Sequence, residues 1–453
     1  MPHPLDWLDD ALADLDRRGL RRQLRATFRH PPAAEIEVAG QSLINFGSND
    51  YLGLASDPRI ATAVKEAIDQ YGWGAGASPL ITGRSDLHVE LERDLANFEG
   101  TEAALLFPTG YSANVGTIAA LIGKEDAVFS DQLNHASIID GCRLSGAKIH
   151  IYPNSHCSIS PLQRTNNNNG SLLPGTLGTP NREAGRSQNK IYSSLLPGTP
   201  GRRAGDEGPS DDVMASRDND LTQLRQMLAS DHGPGRKLIV TDAIFSMHGT
   251  VAPVLALVEL AREFNAMLMV DEAHAIGVLG DRGAGLCQAL HCESQVNLRI
   301  GTLSKALGGH GGFVTGSRRL IDWISNRARP YIFSTAAPPA VAAAGLAALE
   351  IVRTEPERKQ SLDQNAVELR RQLLDRNLIQ PTSRTHIIPI LLGQPDRAVA
   401  ASAELRRRGF YVPAIRPPSV PIGQSLLRIS LTCSHTDEHI EGLIAALHAV
   451  CAD

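Results

Sequence analysis

The chain reads as an α/β protein: a large domain with a mostly parallel central sheet covered by helices, then a smaller C-terminal α+β domain. Three observations predict this. From residue 84 short apolar runs alternate with amphipathic helical stretches, the pattern of parallel strands joined by helical crossovers. After about residue 340 the alternation gives way to long helices framing two short strands, "HIIPILL" and "LRISL". A chain of 453 residues, 42% hydrophobic and 21% charged, is also long and apolar enough for one large core and a lesser one.

Each element follows from a local signal. Leu5, Leu8, Leu12 and Leu15 recur at helical spacing, so the chain opens with an amphipathic helix. "EIEVAGQSLINF" alternates and turns at Ala39-Gly40, which predicts a hairpin. Asp57-Pro58 supplies an N-cap and a first-turn proline for the next helix. The helix "LHVELERDLANFEG" stops at Gly100, and strand "ALLF" leads through Gly110 into helix "SANVGTIAALI". Strand "AVFSD", helix "SIIDGCRLSG" and strand "KIHIY" follow, and later strand "KLIVTDA", helix "VLALVELAREFN" and strands "MLMVDEA" and "VNLRIGT". These divide the chain into an N-terminal helix and hairpin (1–44), a large domain (45–340) and a small C-terminal domain (341–453).

One region breaks the pattern. Residues 156–217 are rich in Asn, Ser, Gly and Pro, and "SLLPGT" occurs at both 171–176 and 194–199. Two copies are too few for a stacked repeat. The composition buries too little apolar surface to offset chain entropy, so the segment is expected to be a disordered insertion.

Composition narrows the function classes. A formal net charge of −5 provides no basic face, and 4% aromatics provide no base-stacking platform, so nucleic acid is not an expected partner. The first residues are acidic and lack the apolar core of a signal peptide, and no run of 18 apolar residues exists. The six cysteines are scattered without a CxxC pair and read as reduced thiols rather than zinc ligands. A cytoplasmic protein without a metal site or a membrane segment is the expectation.

The chemistry centres on "GTLSKALGGHGG", residues 301–312. Lys305 follows a strand end and precedes a run of glycines, the kind of place where an open α/β sheet keeps a ligand. Asp271 ends another strand, and His274 follows it in "DEAHAIGVLG". A lysine that forms a Schiff base, with a carboxylate to keep a pyridine nitrogen protonated, is the requirement of pyridoxal phosphate (PLP) chemistry. An opposite charge within a few ångströms moves such a pKa by about 1–3 units. The phosphate needs an anion site, and Gly110 and Tyr111 open a helix whose N–H groups point outward. Thr302 adds a hydroxyl. His135 in "LNHAS" and Ser246 in "IFSMHG" also lie just beyond strands. No Walker A run is present, and the glycines at 308–312 lack the strand-turn-helix context of a dinucleotide site.

These motifs resemble those of the α-oxoamine synthases, a family of PLP-dependent enzymes of fold type I. The matching stretches are "NFGSNDYLGL" (45–54), "GAGASPLITG" (74–83), "LHVELE" (87–92), "LLFPTGYSAN" (105–114), "DQLNHASIIDG" (131–141), "VDEAHAIGVLGDRGAG" (270–285), "GTLSKALGGHGG" and "IRPPSVP" (415–421). The resemblance spans nearly the whole chain apart from 156–217. It implies that Lys305 carries the Schiff base, that Asp271 partners the ring nitrogen and that His135 stacks on the cofactor ring. Ser246 and His274 would hold the phenolic oxygen, and Gly110, Tyr111 and Thr302 the phosphate. Arg25 would meet a substrate carboxylate, and Ser419 would sit near the acyl substrate. The family usually has threonine at that last position, so the role there is less fixed. "FSTAAPP" resembles the segment by which Ser334 and Thr335 reach the neighbouring subunit's phosphate in a homodimer. The "IRPP.VP" motif favours the member that joins L-alanine to a pimeloyl thioester, carried on coenzyme A or acyl carrier protein, with loss of carbon dioxide, in biotin biosynthesis. Glycine C-acetyltransferase and 5-aminolevulinate synthase share the machinery but take glycine and other acyl groups. A non-catalytic paralogue subunit is the alternative from a different class.

Overall fold

The computed structural model describes residues 3–22, 26–28, 33–154, 211–380 and 385–451, with the backbone alone at 211–220. Arg25 lies outside the described residues, as does the expected disordered insertion 156–217 up to residue 210; its last residues, 211–217, are helical instead and open the helix Asp211–Ser230. The amphipathic N-terminal stretch forms α1 (Trp7–Arg17), which buries none of its side chains. A short strand β1 (Thr27–Phe28) pairs with β2 (Glu35–Val38), which forms the hairpin with β3 (Gln41–Asn45). Its turn places Ala39 at φ 53° and Gly40 at φ 78°, the left-handed pair whose twist matches a two-residue hairpin. β3 also pairs in parallel with β12 (Phe410–Tyr411), so the N-terminal hairpin is joined to the C-terminal half of the chain. Helix α2 (Pro58–Tyr71) begins where expected, with the Asp57 carboxylate accepting from Arg59 N–H at 3.0 Å. Helix α3 (Asp86–Glu99) ends at Gly100 in the left-handed conformation, φ 68°.

The central sheet has seven strands in the order β4-β10-β9-β8-β7-β5-β6. They are β4 (Ala103–Phe107), β5 (Ala127–Asp131), β6 (Lys148–Tyr152), β7 (Lys237–Asp242), β8 (Met267–Asp271), β9 (Leu298–Thr302) and β10 (Gly312–Gly316). Pairing is parallel from β9 through β8, β7 and β5 to β6, and β10 alone runs antiparallel to its neighbours β9 and β4. The exception has a local cause: the glycine-rich segment after Lys305 turns the chain straight back, with Gly308 at φ 64° and Gly311 at φ 116°.

Helices cover both faces. α4 (Gly110–Leu121), α5 (Ala136–Ser145) and α8 (Arg318–Arg327) close one side. α6 (Asp211–Ser230) and α7 (Val254–Glu263) close the other. That double cover explains why β9 is buried at every residue and reads as a continuous run rather than an alternation. The chain then forms α9 (Pro339–Thr354) against α2 and α3, followed by α10 (Pro356–Asp375). The C-terminal sheet is antiparallel in the order β11-β14-β13, from β11 (Ile387–Gly393), β13 (Ala414–Ile415) and β14 (Ser425–Ser430). Helices α11 (Pro395–Arg407) and α12 (Asp437–Cys451) pack with α10 and that sheet. Among the described residues no helix is long and apolar enough to cross a membrane, and no cluster of His, Cys, Asp or Glu is placed to hold a metal ion.

Candidate active site

Parallel strands bring their carboxyl ends to one edge of the sheet, and the residues singled out by sequence converge there. Asp271 ends β8, Thr302 ends β9, Ser246 follows β7, His135 follows β5, and Gly110 opens α4 just after β4. Lys305 hangs beyond β9. Its side chain is only partly exposed, and burial pulls the amine down to about 8 against the opposing pull of the Asp271 and Asp242 carboxyls. At neutral pH roughly a tenth of such an amine is unprotonated, against under a thousandth at the ordinary lysine value. Lys305 Nζ makes no hydrogen bond to the described residues.

Asp271 is held at both oxygens. Asn114 Nδ2 donates to Oδ2 at 2.6 Å, and Ala273 N–H donates to Oδ1 at 2.8 Å. Asp242 lies beside it in register on β7. Burial pushes the Asp242 carboxyl well above the usual carboxylate range, and the Asp271 charge pushes it further. Its Oδ2 accepts from His135 N–H at 2.8 Å, which fixes the start of α5. The His135 ring is exposed to the open side of the site, and its Nδ1 lies 2.7 Å from Ser137 Oγ. Crowding by the surrounding protein lowers its pKa, the Asp271 charge opposes that shift, and the Lys305 charge adds to it.

His274 is buried, and its Nδ1 lies 2.6 Å from the Tyr51 hydroxyl. Burial, with Lys305 and Arg428 nearby, keeps the imidazole neutral by lowering its pKa well below the ordinary value. Its Nε2 makes no hydrogen bond within the described residues. The Ser246 carbonyl accepts from Arg428 Nε at 2.6 Å, and Arg428 also donates to Asn49 Oδ1 at 3.2 Å. Arg428 thus places a buried guanidinium from β14 near enough to Lys305 for its charge to lower that amine's pKa.

At α4 the Thr109 hydroxyl accepts from Ser112 N–H at 3.0 Å, while the Gly110 and Tyr111 N–H groups have no acceptor among the described residues. The Tyr111 phenol is turned away to donate to Asp140 on α5. A Cβ on Gly110 would lie 3.5 Å from Thr302 Oγ1, and one on Gly312 would fall 2.5 Å from Gly110 N. Two glycines therefore keep the helix N-terminus open beside Thr302. The Thr302 hydroxyl donates to Gly311 O at 2.9 Å and lies 2.7 Å from Ser304 Oγ.

Not every expected residue joins this group. Ser419 is exposed, with its N–H donating to Arg416 O at 3.1 Å. Ser334 is half-buried and Thr335 exposed, on the segment between α8 and α9. No hydrogen bond among the described residues links these three to the Lys305 cluster. A separate concavity of about 620 Å³, lined by Arg84, Glu92, Arg93, Arg318 and Tyr331 among others, shares no residue with the site.

Four members of the constellation escaped the sequence reading: Asn114, Asp242, Tyr51 and Arg428. Asp242 had a visible signal, since "VTDA" ends its strand as "MVDEA" ends the next. Arg428 had one too: a charge in the apolar run "LLRIS", where all six residues of β14 are buried, requires partners. Tyr51 and Asn114 stand in the matching stretches "NFGSNDYLGL" and "LLFPTGYSAN", but nothing local there marks their distant partners.

The family model of class I and II aminotransferases matches residues 41–171 and 210–447. This chain belongs to that family. Its curated relatives include the 8-amino-7-oxononanoate synthase of Anaeromyxobacter dehalogenans (strain 2CP-1), 42% identical over 449 residues covering 99% of this chain and 96% of the relative. That of Geobacter sulfurreducens is 39% identical over 439 residues, covering 96% and 95%. Among solved structures, serine palmitoyltransferase from S. paucimobilis with a bound PLP-myriocin aldimine superposes with a TM-score of 0.80 at 28% identity, covering 99% of this chain and 98% of that one. The 8-amino-7-oxononanoate synthase of Francisella tularensis shares the fold, with a TM-score of 0.67 at 24% identity over 90% of this chain and 97% of that one. The family model omits residues 172–209, which fall within the stretch that the sequence sets apart.

Proposed function

We propose that this chain is a PLP-dependent acyltransferase of the cytoplasm that condenses L-alanine with a pimeloyl thioester, giving 8-amino-7-oxononanoate, carbon dioxide and the free thiol carrier in biotin biosynthesis. One observation carries the reading. Lys305, Asp271 and the open N-terminus of α4 meet on one sheet edge, in a chain 42% identical to an 8-amino-7-oxononanoate synthase over 99% of its length. The donor set fits PLP: an amine with a lowered pKa, a carboxylate, an exposed imidazole face and two N–H groups without acceptors beside a hydroxyl.

When bound, PLP supplies an electron sink for the negative charge that develops at the amino acid's Cα. The chain's residues do the rest. Lys305 would anchor the cofactor covalently and would take the alanine Cα proton at Nζ, for which a pKa of about 8 suits a base near neutral pH. Asp271 would hold the ring nitrogen protonated, and His135 would lie against the ring. Ser246 and His274 Nε2 would meet the phenolic oxygen. Gly110 and Tyr111 N–H, with Thr302, would take the phosphate at the positive end of α4. Arg428 offers the buried cation that alanine's carboxylate requires, and its hydrogen bonds to Ser246 and Asn49 keep it fixed. Arg25 and Ser419 would serve the acyl substrate. In a homodimer Ser334 and Thr335 would reach the other subunit's phosphate, which accounts for their lying apart from this chain's own Lys305.

The test is a product assay with alanine, glycine and serine, each against a panel of acyl thioesters on coenzyme A and on acyl carrier protein. Alanine with the pimeloyl thioester should give the highest kcat/KM. A preference for glycine or serine would overturn the substrate assignment while leaving the PLP site intact.

A further inference from the structure

We infer that Asn114 is a positioning residue that sets two of the cofactor's neighbours at once, holding the Asp271 carboxylate and, through Ser137, fixing which nitrogen of His135 carries the proton. The inference rests on the PLP reading for its purpose, though not for its geometry. Asn114 is 2% exposed in the middle of α4, whose other buried residues are apolar or glycine apart from Thr117. A buried amide there must have partners to be tolerated. Its Nδ2 has two hydrogens and two acceptors: Asp271 Oδ2 at 2.6 Å and Ser137 Oγ at 2.9 Å. Its Oδ1 is buried without a partner. Turning the amide over would place that oxygen against the Asp271 carboxylate, so the acceptors dictate the orientation despite the orphaned carbonyl.

The direction of the bonds then propagates. Ser137 Oγ accepts from Asn114, whose Nδ2 can only donate, and His135 Nδ1, 2.7 Å away, is the acceptor left for the hydroxyl hydrogen among the described residues. Ser137 N–H points at the same nitrogen from 3.3 Å, the weaker of the two contacts. With donors on Nδ1, a neutral His135 carries its proton on Nε2. A single side chain on α4 therefore links the group expected at the ring nitrogen, on β8, to the ring expected against the cofactor face, at the start of α5. Sequence separations of 157 and 23 residues keep this link out of any local reading.

The test compares the full chain with Asn114→Leu, which keeps the volume and removes both donors, and with Ser137→Ala, which cuts only the branch to His135. In the apoprotein labelled with 15N-histidine, the parent should show a pyridine-type Nδ1 and a pyrrole-type Nε2 for His135. Asn114→Leu should move the two nitrogens part-way toward each other, and its PLP dissociation constant, read by fluorescence, should rise about tenfold or more, as expected for loss of a hydrogen bond to a charged group. Ser137→Ala keeps only the weaker backbone N–H on Nδ1, so it should move the nitrogens further toward the average while leaving PLP affinity within a few-fold. An Asn114→Leu protein with the parent's nitrogen pattern or the parent's PLP affinity overturns the inference. If that variant does not fold, an unchanged nitrogen pattern in Ser137→Ala overturns it. A parent that shows the expected tautomer but binds no PLP would overturn the proposed function and leave this inference standing.

Discussion

Strand β9 serves two cations of opposite kinds, one buried and one only partly exposed. Near its start Arg299 pairs with Glu99, and the two side chains are 2% and 1% exposed, with Glu99 Oε1 left without a hydrogen-bond partner. Arg299 Nε donates to Glu99 Oε2 at 2.8 Å, Nη1 to Glu293 O at 2.7 Å and Nη2 to Glu99 O at 2.5 Å. Just beyond the other end of β9, Lys305 makes no hydrogen bond to the described residues, and its amine is held near 8. Both charges are drawn out of water, so burial does not separate the structural site from the functional one. Satisfaction does. The arginine spends its donors on the protein, whereas around Lys305 the open positions gather: Lys305 Nζ, His274 Nε2 and the N–H groups of Gly110 and Tyr111.

If that contrast is right, substitutions at the two ends of β9 should fail in different ways. The largest effect belongs to Lys305→Ala, which should cost condensation activity several orders of magnitude while leaving the thermal midpoint close to the parent's. A comparable loss of stability would mean that Lys305 is structural. Glu99→Ala should do the reverse. It strands a buried guanidinium and should lower unfolding free energy by about 3–5 kcal/mol in a denaturant titration. The folded fraction should still bind PLP, and loss of PLP binding from protein shown to be folded would erase the distinction.

Asp271→Asn is the finer probe, because it removes charge and keeps shape. Turnover should fall much more than alanine binding, since the charge matters as negative charge builds at Cα. The apoprotein gives a second readout with a definite sign. The neutral amine reacts, so the rate of PLP attachment to Lys305 should rise with pH and level off above about 8 in the parent. Asp271 pulls the amine's pKa upward, so in Asp271→Asn the midpoint should move to lower pH. A midpoint that stays or rises would contradict the pairing. The smallest effect is expected from replacing residues 156–210, which end just before α6, by a short Gly-Ser link. The family model already omits 172–209, and closing a longer surface loop costs only about 0.6 kcal/mol per doubling of length. PLP binding and turnover with alanine should stay within a few-fold of the parent. Failure to bind PLP would show that the segment supports the site.

The architecture was legible because the signals for it are local. Asp57-Pro58, the Ala39-Gly40 turn and Gly100 each act within a few residues of themselves, and all three stand where the sequence puts them. The antiparallel return of β10 was not anticipated, although the glycines that permit it were quoted, because strand direction is decided by pairing across the sheet. The site was legible in part. Lys305 and Asp271 could be matched because strand ends of a parallel sheet fall on one edge. Asn114 and Arg428 could not be placed, since their partners lie on β8 and beyond β7, far away in the chain. The hydroxyl of Thr302 was legible as a residue but not in its direction toward Gly311.

The central claim is that the open polar cluster around Lys305 is where PLP is held. The direct measurement is borohydride reduction of the PLP-loaded protein followed by peptide mapping. The account predicts a pyridoxyl group on the peptide that contains Lys305 and on no other. A label on a different lysine, or none after reduction of a protein that binds PLP, would contradict it.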